Sequence, residues 1–206
     1  MMSSIARLGV CAAIATLAIQ VPAFAHHPMG GTTPVTFLQG LLSGLGHPVI
    51  GIDHLAAIVG AGLLAALARR GVAPLLAFSA ALIAGVGVHL AGADIPVSEL
   101  LVGLSTIAIG VLVLMRQSVG PAASACLFAV VGLLHGYALG ESIAGAEPAP
   151  LVAYLAGLLI IQTAIAFAAY ALLVRLPARA MAMTIAGLVV VLAGGMTAAA
   201  ATGLIG

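Results

Sequence analysis

Charged residues are what this chain most lacks. Only 5% of its 206 residues are charged, and it contains neither lysine nor tryptophan, whereas a soluble domain carries about 25% charged residues. The formal net charge is +1, so there is no basic surface of the kind that binds nucleic acid. These absences exclude a soluble enzyme and a disordered chain. We also expect no nucleic-acid partner.

Cysteine is equally scarce, because Cys11 and Cys126 are the only two in the chain. They cannot form a disulfide framework. What the chain does contain is apolar: 64% of its residues are hydrophobic, and its mean hydropathy is +1.33. The composition predicts an all-α integral membrane protein that is embedded in a lipid bilayer.

The first 25 residues are organised like a secretory signal peptide. Arg7 precedes a short apolar segment, and Ala23-Phe24-Ala25 is an A-x-A cleavage pattern. An uncleaved first transmembrane helix is the alternative. We predict that residues 1–25 are removed and that residues 26–206 form a single transmembrane domain beginning at His26.

The rest of the chain contains six apolar runs of the length that spans a membrane, about 20 residues. The predicted spans are about 49–68, 72–91, 97–115, 121–141, 149–174 and 180–204. A shorter stretch from Val35 to Leu45 is predicted to be an interfacial or re-entrant segment before the first span. The expected fold is therefore a bundle of six transmembrane helices.

The arginines of the predicted mature chain all fall in loops on one side of these spans: Arg69, Arg70, Arg116, Arg175 and Arg179. The loops on the other side carry acidic residues and no basic residue. Because cytoplasmic loops are enriched in arginine and lysine, the arginine side is predicted to be cytoplasmic. The mature N-terminus is then extracytoplasmic, the side to which a signal peptide would deliver it.

Three ionisable residues, His47, Asp53 and His54, lie within eight positions at the outer end of the first span. Placing an ionisable side chain near the bilayer centre costs about 2.5–3.5 kcal/mol of free energy. A functional role is therefore the default interpretation of such a residue. A break between Pro48 and Gly51 would fold His47 back towards His54. Imidazole with carboxylate suits nickel, cobalt or zinc better than calcium or magnesium. Helix capping, or side chains that reach the interface, is the structural alternative.

Further candidates lie near the outer ends of other spans. His135 and Glu141 occupy the outer third of the fourth span, and His89 lies near the outer end of the second. A ridge of small residues runs beside His135: Gly132, Gly136 and Gly140. Such a ridge lets another helix approach closely, so plain helix packing is the alternative here. Glu141 is about 120° from the face of His135 on a continuous helix.

The two motifs resemble those of the HupE/UreJ family. The stretch from Gly46 to His54 matches a family pattern in which a histidine is followed, after five residues, by Asp-His. The stretch from Leu134 to Ser142 is similar to the family's Phe-His-Gly-x-Ala-x-Gly-x-Glu. Leucine replaces the phenylalanine, and Ser142 stands where the pattern has glutamate, with Glu141 one residue earlier.

The resemblance implies a nickel or cobalt permease associated with hydrogenase and urease maturation. We predict a permease of the bacterial inner membrane, not an enzyme. It is expected to have no tightly bound cofactor and to transport Ni²⁺, with Co²⁺ as the second most expected substrate. The predicted metal-binding residues are His47, Asp53, His54 and His135, with His26 and His27 gathering the ion outside and His89 and Glu141 as further candidates.

Two other classes of function stay open at this point. An intramembrane zinc-dependent hydrolase would use His54, His89 and His135 as ligands and Asp53 as its base. A metal-binding accessory subunit would need a partner protein for transport. The sequence does not predict an oligomeric state.

Overall fold

The computed structural model describes residues 32–68, 72–117, 119–175 and 180–205. The predicted signal peptide, with His26 and His27, lies outside these ranges. Within them the chain is helical and contains no β-strand, which confirms the all-α class for the described residues. The helices are α1 Phe37–Ile50, α2 Ile52–Leu67, α3 Ala73–Leu90, α4 Ser98–Leu114, α5 Pro121–Gly140, a 3-10 turn Glu141–Ile143, α6 Pro148–Arg175 and α7 Ala180–Ala201.

Four of these helices are long and apolar enough to cross a membrane: α3, α5 with its 3-10 turn, α6 and α7. Helices α1 and α2 meet the same criterion together, bent by 77° as a broken span or a re-entrant loop. Helix α4 is apolar but has only 17 residues. The described residues are therefore those of a multi-pass membrane protein, with four spans by length and composition, or five with the bent pair. Six spans stays a prediction.

Local chemistry accounts for where several helices begin. Thr36 and Gln39 form a capping box at the start of α1, each side chain accepting the other residue's backbone N–H. Prolines occupy the first turn of α3, α5 and α6. A missing N–H does no harm there, because the first turn of a helix has no partner for it.

The junction of α1 and α2 differs in detail from the sequence prediction. The segment expected at residues 35–45 is a 14-residue helix that continues to Ile50, with Pro48 inside its last turn. The break falls at Gly51. The Gly51 N–H donates to the carbonyl of His47 and its carbonyl accepts from the N–H of Leu55, both at 2.9 Å. A ψ of 103° at Gly51 turns the chain between these two bonds.

Helix α2 lies at the centre of the bundle and contacts α1, α3, α4, α6 and α7. The most extensive contacts join three other pairs, α1 with α6, α3 with α5, and α4 with α7. Glycines allow these approaches, because a Cβ at Gly136 of α5 would overlap the backbone of Leu82 in α3. A Cβ at Gly44 of α1 would likewise overlap the backbone of Tyr154 in α6. The predicted approach of another helix to the ridge beside His135 is confirmed.

One of the predicted cytoplasmic arginines joins two helix ends. The guanidinium of Arg116, just after α4, donates to the carbonyl of Ala180 at the start of α7 at 2.8 Å. Gly103, near the start of α4, packs against Ala198 near the end of α7. The two helices therefore run antiparallel, with Arg116 at the end where α7 begins. Which side of a membrane this end faces stays a prediction.

Candidate metal-binding site

Three buried histidines from three helices meet at the break between α1 and α2. His47 lies in the last turn of α1, His54 in the first turn of α2 and His135 in α5. The ring centroids of His47 and His54 are 5.9 Å apart, and those of His54 and His135 are 5.0 Å apart. The bend at Gly51 therefore places two predicted ligands from one motif beside a third from the other motif.

His54 and His135 are joined by a hydrogen bond between their Nδ1 atoms, 2.9 Å apart. On its other side, Nε2 of His135 lies 3.3 Å from Thr106 Oγ1 and 3.4 Å from Ser105 Oγ. Both hydroxyls donate to the carbonyl of Val102 at 2.9 Å. Since their protons are used there, Nε2 of His135 is the donor to them and its Nδ1 accepts from His54. This leaves the Nε2 lone pair of His54 for a cation.

His47 is held by an equivalent arrangement of hydroxyl groups. Its Nδ1 lies 3.0 Å from Ser142 Oγ, which is 2.9 Å from the hydroxyl of Tyr154. Tyr154 donates to the carbonyl of Leu139 at 2.7 Å, and the single proton of Ser142 lies between that carbonyl, at 3.1 Å, and the Tyr154 oxygen. The ring of His47 is thus held through its Nδ1 atom. Histidines that bind metals are commonly fixed in this way, by a hydrogen bond from the second ring nitrogen.

Asp53 is buried in the first turn of α2, where a negative charge is favoured by the helix dipole. Its Oδ1 accepts the backbone N–H of His54 at 2.8 Å. The neighbouring Gly51 is required for space, because a Cβ there would lie 2.8 Å from Cδ2 of His54 and 3.3 Å from Oδ1 of Asp53. The carboxylate thus accepts one N–H of the first turn of its own helix, beside His54.

Two of the predicted ligands lie elsewhere. His89 of α3 is half-buried, and its ring contact is with Tyr137 at 4.8 Å. Glu141 is exposed in the 3-10 turn. Ser142, which stands where the family pattern has glutamate, is the residue bonded to His47. The position beside His47 is therefore occupied by a neutral hydroxyl in this chain.

Within the described ranges, no three His, Cys, Asp or Glu side chains are arranged to hold a metal ion. The Nδ1 atoms of His54 and His135 point at each other, whereas metal ligands direct their lone pairs at one common point. A cation could bind to both rings only after one of them rotates.

The hydroxyl groups that surround the histidines were not predicted from the sequence. Ser105 and Thr106 come from α4, which carries none of the predicted ligands, and Tyr154 comes from α6. A signal was present in the adjacent Ser-Thr pair, since two neighbouring hydroxyls in an apolar helix indicate a polar partner nearby. Which histidine they contact depends on how the helices pack.

Comparison with known proteins agrees with the motifs. The family model described as "HupE / UreJ protein" matches residues 14–198. A curated relative, Protein HupE of Rhizobium leguminosarum bv. viciae, is 29% identical over 125 residues, which make up 60% of this chain and 63% of that protein. The match thus spans less than two thirds of the relative's length. No solved structure matches the chain. Because the family model covers most of the sequence, the chain belongs to the HupE/UreJ family.

Proposed function

We propose that this protein is a membrane permease for a divalent transition metal, with Ni²⁺ as its first substrate and Co²⁺ as its second. Family membership supports a role in nickel or cobalt handling. The observation that carries the proposal is the meeting of His47, His54 and His135 at a break in the bundle. Interrupted helices at membrane depth are tolerated where they line a cavity in the protein, and that is where a transported ion would bind.

The proposed site is built from nitrogen ligands, with one carboxylate beside them. Nε2 of His54 is the acceptor that the hydroxyl network leaves for a cation, His47 lies beside this ring, and Asp53 supplies the negative charge. His135 completes the site when its ring turns away from His54. Imidazole nitrogen is preferred by nickel, cobalt and zinc over magnesium and calcium. The affinity is expected to be moderate, because a transported ion must also leave.

The remaining predicted ligands are proposed to act before the ion reaches this site. His26 and His27 would gather the ion outside the membrane, and His89 and Glu141 would follow them at the outer ends of α3 and α5. We place the protein in the bacterial inner membrane, with its mature N-terminus extracytoplasmic. Its proposed connection is to hydrogenase or urease maturation, which requires nickel.

Uptake of radiolabelled Ni²⁺ by cells that lack other nickel importers tests this proposal. Wild type and His54→Ala are compared at equal membrane expression, with Ser79→Ala as a control, since Ser79 is a buried polar residue whose partner is Thr163. We expect uptake by wild type and by Ser79→Ala, competition by Co²⁺ but not by Mg²⁺, and loss of uptake in His54→Ala. Equal uptake by all three proteins would contradict the proposed site.

The two alternative functions receive no separate support from the geometry. A zinc hydrolase would need His89 beside His54 and His135, whereas the described ring contact of His89 is with Tyr137. An accessory subunit would bind the ion but would not move it alone. Transport by the purified chain in liposomes distinguishes the permease from both.

A further inference from the structure

A second polar group lies inside the bundle, apart from the histidine cluster. Gln162 of α6 is completely buried, with an exposed fraction of 0%. Neither Oε1 nor Nε2 of its carboxamide has a hydrogen-bond partner in the described part of the protein. The adjacent Thr163 differs, because its hydroxyl bonds to Ser79 of α3 at 3.3 Å.

Burying an unpaired carboxamide costs free energy at both of its polar atoms. Its oxygen and its nitrogen each lose their hydrogen bonds to water on burial, and an apolar side chain of the same size would avoid that cost. Polar residues inside a membrane protein commonly mark the path of a substrate or an ion. Gln162 therefore has the properties of a group whose partner is a passing ligand.

The position of Gln162 along α6 relates it to the histidine cluster. It belongs to a buried stripe with a four-residue spacing: Tyr154, Leu158, Gln162 and Ala166. Gly44 of α1 packs against the backbone of Tyr154 and Leu158, and Gly62 of α2 packs against that of Ala166. Along α6, Gln162 falls between these two contacts.

Gln162 also lies nearer the middle of α6 than the histidine cluster does. The hydroxyl of Tyr154 belongs to the network that holds His47. Gln162 follows Tyr154 by two turns, which is about 12 Å along the helix axis. That displacement is towards the Arg175 end of α6, the end predicted to be cytoplasmic.

We propose that the carboxamide of Gln162 is a second station on the path of the cation, between the histidine cluster and the cytoplasmic end of the bundle. This inference rests on the proposed transport. Oε1 offers a neutral oxygen to the cation or to the water that it carries, and Nε2 donates to that water. A neutral amide binds a transition metal more weakly than imidazole or carboxylate does. It therefore accepts the ion from the cluster without retaining it.

The test measures Ni²⁺ binding and Ni²⁺ influx separately, with purified full-length protein in liposomes. Gln162→Leu removes the amide at nearly constant volume. It should bind Ni²⁺ with a Kd within about twofold of wild type and slow the influx about tenfold, as expected for one lost polar contact. Gln162→Asn keeps a carboxamide and should recover part of the influx. The matched control is Thr163→Val, which should transport like wild type.

Different failures have different meanings. Wild-type influx by Gln162→Leu would overturn the role of Gln162 and leave the transport proposal standing. Wild-type protein that moves no Ni²⁺ would overturn both. If Gln162→Leu does not fold, Gln162→Met replaces it in the same comparison. Failure of both variants to fold would show that the amide is structural, and this too would overturn the inference.

Discussion

Tyr154 and Ser142 illustrate how single residues contribute to the candidate site without binding the ion. Their hydroxyls share the carbonyl of Leu139, and Ser142 bonds to Nδ1 of His47. The ring of His47 is thereby held in place. Ser105 and Thr106 hold the ring of His135 through its Nε2 atom. The positions of these two rings are therefore set by hydroxyl groups on neighbouring elements.

Replacing Tyr154 by phenylalanine tests this arrangement. The ring still fills its buried position, but Ser142 and His47 lose a partner, so we expect the affinity for Ni²⁺ to fall about tenfold. The free energy of unfolding should change by only about 1 kcal/mol. Both quantities are measurable on purified protein, by equilibrium Ni²⁺ binding and by denaturation.

Tyr170→Phe is the matched control, because Tyr170 lies on the same helix farther from the cluster and is half-buried. Its Kd should equal that of wild type. An unchanged Kd in Tyr154→Phe would show that the hydroxyl network does not position His47.

Helices α3 and α5 approach each other closely beside the candidate site. Gly132 and Gly136 pack against the backbone of Phe78 and Leu82, and a Cβ at Gly140 would lie 2.7 Å from Cβ of His89. The residue numbers of the contacting positions increase together along both helices, so α3 and α5 run parallel. His135 sits on this glycine-lined segment, and its position depends on the separation of the two helices.

Gly136→Ala should push these two helices apart. The added methyl group overlaps the carbonyl of Leu82, and overpacking of this kind costs about 1–3 kcal/mol. We expect a lower free energy of unfolding and weaker Ni²⁺ binding, because the adjacent His135 moves with the backbone. Gly195→Ala is the control, since a Cβ there has open space and alanine is the better helix former. Equal stability of the two variants would contradict the packing argument.

The helices were largely predictable from the sequence, whereas the contacts at the candidate site were not. Apolar runs locate α2 to α7 within a few residues, and Pro48 with Gly51 indicates where the first span breaks. Pro48 itself lies inside the last turn of α1, so the break falls at Gly51 and not at the proline. The partners of His47 could not be foreseen, since they lie 95 and 107 positions away on other helices.

For the molecule as a whole, we predict that transport depends on external pH. A metal ion requires a neutral imidazole, and imidazole takes up a proton near pH 6.5, so protons and Ni²⁺ compete for the same nitrogens. Uptake should be highest above about pH 7 and should fall steadily as the external pH drops to about 5. Initial rates at fixed free Ni²⁺ measure this. Flat uptake over that range would count against histidine ligation.

Transport by the purified chain is the most direct measurement of the central claim. Full-length protein is reconstituted into liposomes, and entry of Ni²⁺ is followed for wild type, for His54→Ala and for empty vesicles. We predict influx with wild type alone, inhibited by Co²⁺ and insensitive to Mg²⁺. Binding of Ni²⁺ without influx would indicate an accessory subunit. Influx that persists in His54→Ala would contradict a binding site at the break between α1 and α2.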